Sequence, residues 1–231
     1  YLNLFSGIAP RTQASWQRLL ALIPSSQLDR HLGIDWAYGL RSDDHPDPSA
    51  DSKIIVVLRE LPPEHLRGDY EEQVVSLLAM LHTDFQHETV LLPFCPEDER
   101  FLDTFHFSLN YACLRHWWNP RQIQAVIRSA AMVVSVGRLH PLIMSQNVGT
   151  PACYVEPRIS DSQEIAMSKV IDIASENHLP YFASFEEARQ RLQAEDFRSV
   201  EPQTVLEYVG RRDNQLTLLQ RHFSGHTGGA K

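Results

Sequence analysis

The sequence predicts an α/β protein built on a Rossmann-like open parallel sheet with helices on both faces. Three observations predict it. Short runs of Val, Ile and Leu alternate with stretches of helical spacing from Lys53 onward, and strands alternating with helices of about 10 to 15 residues imply parallel β-α-β units. Met132-Val-Val-Ser-Val136 is the kind of β-branched run that a parallel sheet buries on both faces. That run passes within a few residues into a helix whose two ends are both written in the sequence. Pro141 suits the first turn, where its missing N–H costs nothing, and Gly149 suits the stop.

Residues 13–23 place Trp16, Leu19, Leu20, Leu22 and Ile23 on the stripe of an amphipathic helix. No strand is read between residues 2 and 40, and the polar, proline-containing stretch 41–51 reads as a linker, so a boundary is expected near residue 50. The chain begins at Tyr1, and residues 1–50 read as a remnant of a preceding domain plus linker. The Rossmann-like domain is assigned to 51–223 and a disordered tail to 224–231. Within that domain the expected order is strand 54–58, helix 70–85, strand 89–92, helix 97–107, a short strand at 111–114, and helix 120–129 capped by Asn119. Strand 132–136, helix 141–148 and strand 151–155 follow, then helix 162–177 and the minimal edge strand Tyr181-Phe182. A helix 185–193 starts on Ser184 with Glu187 at the capping-box position, and a long helix spans 202–221.

With 231 residues, 43% hydrophobic and 22% charged, the chain is long enough for one large globular domain, or one domain plus a fragment. Acidic residues outnumber Lys and Arg 29 to 21, a net charge of -8. That balance argues against a surface that grips nucleic acid by its phosphates, whereas a small anion needs only a local positive patch. Cys95, Cys113 and Cys153 are odd in number and lie in or beside apolar segments, which suits reduced thiols and a cytoplasmic protein. No apolar run approaches the roughly 18 residues of a membrane span, so there is no transmembrane segment, while peripheral membrane association stays open.

Arg138 and His140 stand at the carboxyl end of strand 132–136, the end at which open α/β sheets bind their ligands. They flank Leu139, so both can face one side while Leu139 anchors inward. The helix from Pro141 would add free N–H groups and the positive end of its dipole, making an anion site. Arg supplies a fork of donors for carboxylate or phosphate, and His exchanges a proton near neutral pH. The plain alternative is a surface arginine beside a helix-capping histidine. Other signals are weaker. His82 and His87 flank Asp84 but suit helix-end surface positions better than a metal site, so no metal is expected. Arg115-His-Trp-Trp118 could stack a sugar ring, although core or interdomain packing is the commoner use of such residues. His222 and His226 fall in the tail with no assigned role. The absence of Gly-x-Gly-x-x-Gly and of a phosphate-loop lysine argues against a dinucleotide or ATP site.

The run Ala131-Met-Val-Val-Ser-Val-Gly-Arg-Leu-His-Pro-Leu-Ile, continuing to Gly149-Thr-Pro151, resembles the signature of the polysaccharide pyruvyl transferase family: strand, Arg-Leu-His, helix, Gly-x-Pro, strand. Three further stretches agree in order. They are Ile54-Ile-Val-Val-Leu-Arg59, Leu91-Leu-Pro-Phe94 followed by Asp98, and Lys169-Val170 leading to Leu179-Pro-Tyr-Phe182, so the resemblance covers about residues 53–195. It implies the carboxyl-terminal, donor-binding half of a B-type glycosyltransferase fold, with residues 1–50 left from the acceptor half. It also implies transfer of an enolpyruvyl unit from phosphoenolpyruvate to hydroxyls of a saccharide or lipid-linked saccharide, in polysaccharide or glycan biosynthesis, with no cofactor. Arg59, Arg138, Leu139 and His140 carry over as donor-site residues. Gly137 and Pro141 stand where the family commonly has Met or a similar residue and Ala. The long segment 155–168 leaves the family's basic role open between Lys169, the preferred choice, and Arg158.

The chemistry suits these residue types. Two arginines and a helix N-terminus balance a carboxylate and a phosphate without a metal. His140 is the candidate acid that protonates the donor's methylene carbon. Positioned proton transfer of this kind is worth about 10²–10⁴ in rate. Two rivals remain. Glu156 and Glu164 are spaced as in retaining nucleotide-sugar-dependent glycosyltransferases, but they follow the strand after Gly-x-Pro, whereas the pair of those enzymes frames the helix before it. The other rival is a non-catalytic Rossmann-like module that binds an anionic metabolite or a partner protein.

Overall fold

Runs of Ile, Val and Leu without intervening polar residues are stable as strands only where both faces of a sheet are covered, and the computed structural model places them so. It describes residues 7–8, 12–22, 29–30, 53–61, 68–85, 87–104, 111–157, 169–176, 178–194, 213 and 216–217. The expected linker 41–51, the tail 224–231, the segment 158–168 and nearly all of helix 202–221 lie outside the described residues.

Contacts divide the chain into two compact units, Tyr1–Gly39 with Pro202–Lys231, and Leu40–Glu201. In the first unit Gly7–Ile8 (β1) and Asp29–Arg30 (β2) pair in parallel, with Gln13–Leu22 (α1) between them in sequence. No strand was expected here. Two-residue strands carry no periodicity to read, and Asp29–Arg30 is wholly polar.

The second unit alternates throughout. Its elements are Lys53–Leu58 (β3), Tyr70–Asp84 (α2), Glu88–Leu91 (β4), Pro96–Thr104 (α3), Ala112–Cys113 (β5) and Pro120–Arg128 (α4). Ala130–Val136 (β6), His140–Val148 (α5), Ala152–Val155 (β7), Lys169–Glu176 (α6), Tyr181–Phe182 (β8) and Phe185–Ala194 (α7) complete it. All six strands are parallel, in the order β5-β4-β3-β6-β7-β8. Counted from β3 this is the 3-2-1-4-5-6 order of dinucleotide-binding folds, and it reverses between β3 and β6.

Side chains alternate across the strands. Ile54, Val56, Val134 and Val136 face a core built with Val74, Leu77, Leu78 and Leu81 of α2 and Phe185 of α7, all essentially inaccessible. Each such side chain contributes roughly 1.5–3 kcal/mol by leaving water. Helices α4 and α5 pack on each other and on β6, and α5 also packs on β7, so helices cover both faces of the sheet. Local chemistry sets the ends as the sequence predicts. Asn119 Oδ1 accepts from the N–H groups of Arg121 and Gln122 at 3.1 and 3.3 Å. Ser184 Oγ accepts from Glu187 N–H at 3.1 Å while Glu187 reaches back to Ala183 N–H at 2.8 Å. Among the described residues no helix is long and apolar enough to cross a membrane.

Candidate functional site

At the reversal, β3 and β6 run side by side and deliver Arg59 and Gly137-Arg138 to the same edge of the sheet. The junction is tightly tied. Arg59 N–H donates to Val136 O at 3.1 Å, Gly137 N–H donates to Val155 O at 3.2 Å, and Ser135 Oγ donates to Arg138 O at 2.6 Å. Arg59 Nη1 lies 3.4 Å from Gly137 O. Gly137 has φ 79°, in the region open to glycine, and a Cβ there would stand 3.1 Å from Pro157 Cγ and 3.2 Å from Arg59 Cβ. The glycine therefore serves both the turn and the close approach of Arg59.

Arg138 does not stand open to solvent as a bare cation. Its Nε and Nη2 grip Asp98 of α3, Nε to Oδ2 at 2.9 Å and Nη2 to Oδ1 at 2.5 Å, and Nη2 also meets Cys95 Sγ at 2.8 Å. Asp98 is fully buried and accepts two more bonds, from Glu60 N–H to Oδ1 and from Phe94 N–H to Oδ2, each 3.2 Å. One carboxylate thus ties together the residues that follow β3, β4 and β6. Burial alone works against charge on Arg138, but the hydrogen bonds and charge of Asp98 outweigh it and raise the guanidinium above its ordinary value. Burial likewise raises the Cys95 thiol, which keeps it protonated at neutral pH. Arg138 Nη1 is used by neither Asp98 nor Cys95.

The alternation expected at Arg138-Leu139-His140 is present: Leu139 is buried, Arg138 partly buried and His140 exposed. The supply of helix N–H groups differs from expectation. Pro141 has none, and the N–H groups of Leu142 and Ile143 both go to Leu139 O, at 3.0 and 3.4 Å. The first turn is wound so tightly that these donors stay inside the helix, and what α5 offers an anion is mainly its dipole. Its far end is conventional: Gly149, at φ 76°, and Thr150 donate to Gln146 O and Ser145 O. Lys169 opens α6, its side chain and all of Arg158 lying outside the described residues.

The sequence did not assign a role to two carboxylates that the fold brings into prominence. Asp98 is one. Glu156 is the other, nearly inaccessible at the end of β7 beside Pro157, with the hydroxyls of Tyr154 and Tyr181 at 3.5 and 3.4 Å. Those two rings stack with centroids 5.5 Å apart. A lone glutamate after a strand carries no sign of such burial, and Glu164 lies outside the described residues. Arg115, His116, Trp117 and Trp118 form the turn after β5, and Glu99 of α3 binds both Arg115 and Trp117 Nε1. His82 is exposed and His87 half-buried. Among the described residues no group of three His, Cys, Asp or Glu is placed to hold a metal.

No protein-family model matches the sequence, and no curated protein is significantly similar to it. Solved structures share the fold. A UDP-GlcNAc 2-epimerase of Methanocaldococcus jannaschii, in complex with UDP-GlcNAc and UDP, superposes with a TM-score of 0.54 at 8% identity, over 88% of this chain and 60% of that one. A Listeria monocytogenes structure assigned to UDP-N-acetylglucosamine 2-epimerase does so with a TM-score of 0.50 at 12% identity, over 93% of this chain and 59% of the other. The chain spans about three fifths of the length of these structures. The class defined is an α/β protein with a Rossmann-like parallel sheet of the kind found in B-type glycosyltransferase folds.

Proposed function

We propose that the protein is a sugar-related enzyme that binds phosphoenolpyruvate at the sheet's reversal point and transfers its enolpyruvyl group to a saccharide or lipid-linked saccharide. One observation carries the reading. Two arginines leave adjacent strands at the reversal, and among the described residues only Arg138 has a carboxylate partner. Arg59 is then the net positive charge of the site, and Arg138, held rigid by Asp98, contributes direction through its remaining N–H groups. The donor's carboxylate and phosphate would divide between them, near the positive end of α5.

His140, exposed two residues beyond Arg138, would deliver a proton to the methylene carbon of the donor. The carbon bearing phosphate then becomes cationic in character, and a sugar hydroxyl adds to it, returning its proton to the imidazole. A second hydroxyl displaces phosphate and closes the ketal. No cofactor or metal enters these steps.

A second reading is a nucleotide-sugar enzyme, favoured by the fold shared with UDP-GlcNAc 2-epimerases and by the buried carboxylate of Glu156 beside the site. Calorimetric titration separates the two. Phosphoenolpyruvate is expected to bind saturably, at least about tenfold more weakly to Arg59→Ala, a loss of about 1.4 kcal/mol, and UDP-GlcNAc is expected not to compete. Binding of UDP-GlcNAc without phosphoenolpyruvate would transfer the proposal to the second reading. His140→Ala should retain donor binding and lose phosphate release in the presence of an acceptor; undiminished release would remove His140 from the chemistry.

A further inference from the structure

The turn after β5 is an aromatic corner held from below. Arg115 Nη1 binds Glu99 Oε1 and its Nη2 binds Asp103 Oδ1 at 2.6 Å, both carboxylates standing on α3. Trp117 Nε1 donates to the second oxygen of Glu99 at 2.5 Å. The backbone is closed by His116 N–H to Leu114 O at 3.1 Å and Asn119 N–H to His116 O at 2.9 Å, and Asn119 caps α4. Trp118 rests edge-on against Trp117, centroids 5.6 Å apart at 86°, and against His116 at 5.9 Å and 67°. With its neighbours fixed, Trp118 is still 59% exposed. Among the described residues of the sheet unit it is the one large apolar side chain on view.

We propose that Trp118, backed by Trp117 and His116 on the turn that Arg115 anchors to α3, is a stacking platform for a saccharide. This rests on the functional reading above and adds a place for the acceptor. A protein interface or a lipid surface would call for several contiguous apolar side chains. A single exposed indole plane, on a turn that also carries a guanidinium held by two carboxylates, instead matches a sugar ring, whose C–H face stacks on an aromatic and whose hydroxyls bond to polar groups nearby. The location fits. All strands are parallel, so Trp118 lies at the same edge of the sheet as Arg59 and Arg138, and β5 is two strands from β3. At about 4.8 Å per strand the ends of β5 and β3 are roughly 10 Å apart, a spacing on the scale of a short oligosaccharide lying across the strand ends.

Fluorescence titration of the full chain with cellotriose, chitotriose and maltotriose tests the platform. At least one trisaccharide is expected to bind saturably, about tenfold or more weakly to Trp118→Ala, with a smaller loss in Trp118→Phe and with phosphoenolpyruvate affinity unchanged in both. If none of the three binds the wild type, or if Trp118→Ala binds as tightly, the platform is wrong. Concentration-dependent self-association in sedimentation that Trp118→Ala abolishes would also overturn it, because the ring would then serve a second copy of the chain. Failure of phosphoenolpyruvate binding with trisaccharide binding intact removes the donor assignment alone, and the opposite pattern removes the platform alone.

Discussion

Two arginine–carboxylate pairs hang from adjacent residues of α3, and they are held in opposite ways. Asp98 faces inward to Arg138 with its side chain wholly inaccessible. Glu99 faces the edge of the sheet and meets Arg115, their side chains 23% and 41% exposed. The inner carboxylate also satisfies two backbone N–H groups, whereas Arg115 has a second acid, Asp103, should the first be lost. A buried ion pair is weak evidence for stability while intact but costly to break from one side. An exposed pair is worth about 1 kcal/mol or less. Urea unfolding at pH 7 should therefore show Asp98→Ala destabilised by about 3–5 kcal/mol and Glu99→Ala destabilised far less. Equal losses in the two variants would break the comparison.

Packing sharpens the same contrast between a crowded reversal point and open surroundings elsewhere. Gly137 and Gly149 have nearly the same backbone, φ 79° and 76°. A methyl at Gly149 meets nothing within 4 Å, while one at Gly137 meets Pro157 and Arg59 at 3.1 and 3.2 Å. Gly149→Ala should cost about 1 kcal/mol, the backbone strain alone. Gly137→Ala should cost about 2–3 kcal/mol and, by displacing Arg59, weaken phosphoenolpyruvate binding as well. A Gly137→Ala variant with wild-type donor affinity would show that Arg59 is not positioned by this glycine.

What could be read from the sequence is what local chemistry decides. Pro141 and Gly149 bracket α5, Asn119 and Ser184 cap their helices, and Leu139 turns inward between two polar neighbours, all within a few residues of one another. The parallel sheet followed from the same alternation, and the placement of Arg59 beside Arg138 from the resemblance together with the rule for strand ends. The partners of the arginines were not legible. Arg138 meets Asp98 across 40 residues and Arg115 meets Glu99 across 16, and such pairings depend on which strand ends become neighbours. The first turn of α5 was misjudged for a related reason: whether Leu142 N–H points out or bonds back to Leu139 O is set by the winding of a single turn, which residue types do not specify. Asp98 appeared in the sequence as part of a resemblance; only the folded chain makes it the tie between three strand ends.

The smallest effect concerns acid. The hydrogen bonds of Arg115, then that of Trp117, hold the Glu99 carboxyl below the ordinary glutamate range, exceeding the opposing effect of partial burial. A carboxyl whose folded value is depressed stabilises the fold at pH above its unfolded value, near 4.3, and that contribution fades as pH falls through the folded value. On acidification the aromatic turn should thus loosen at lower pH than that at which a free glutamate protonates. The indole N–H resonance of Trp117, assigned by its absence in Trp117→Phe, reports this directly, because the hydrogen bond to Glu99 sets its position. Its acid transition should have a midpoint below the ordinary glutamate value, and in Glu99→Gln that transition should vanish. A midpoint at or above the ordinary glutamate value would mean that Arg115 does not bind Glu99 tightly in solution, and the edge of α3 would then be looser than its contrast with Asp98 requires.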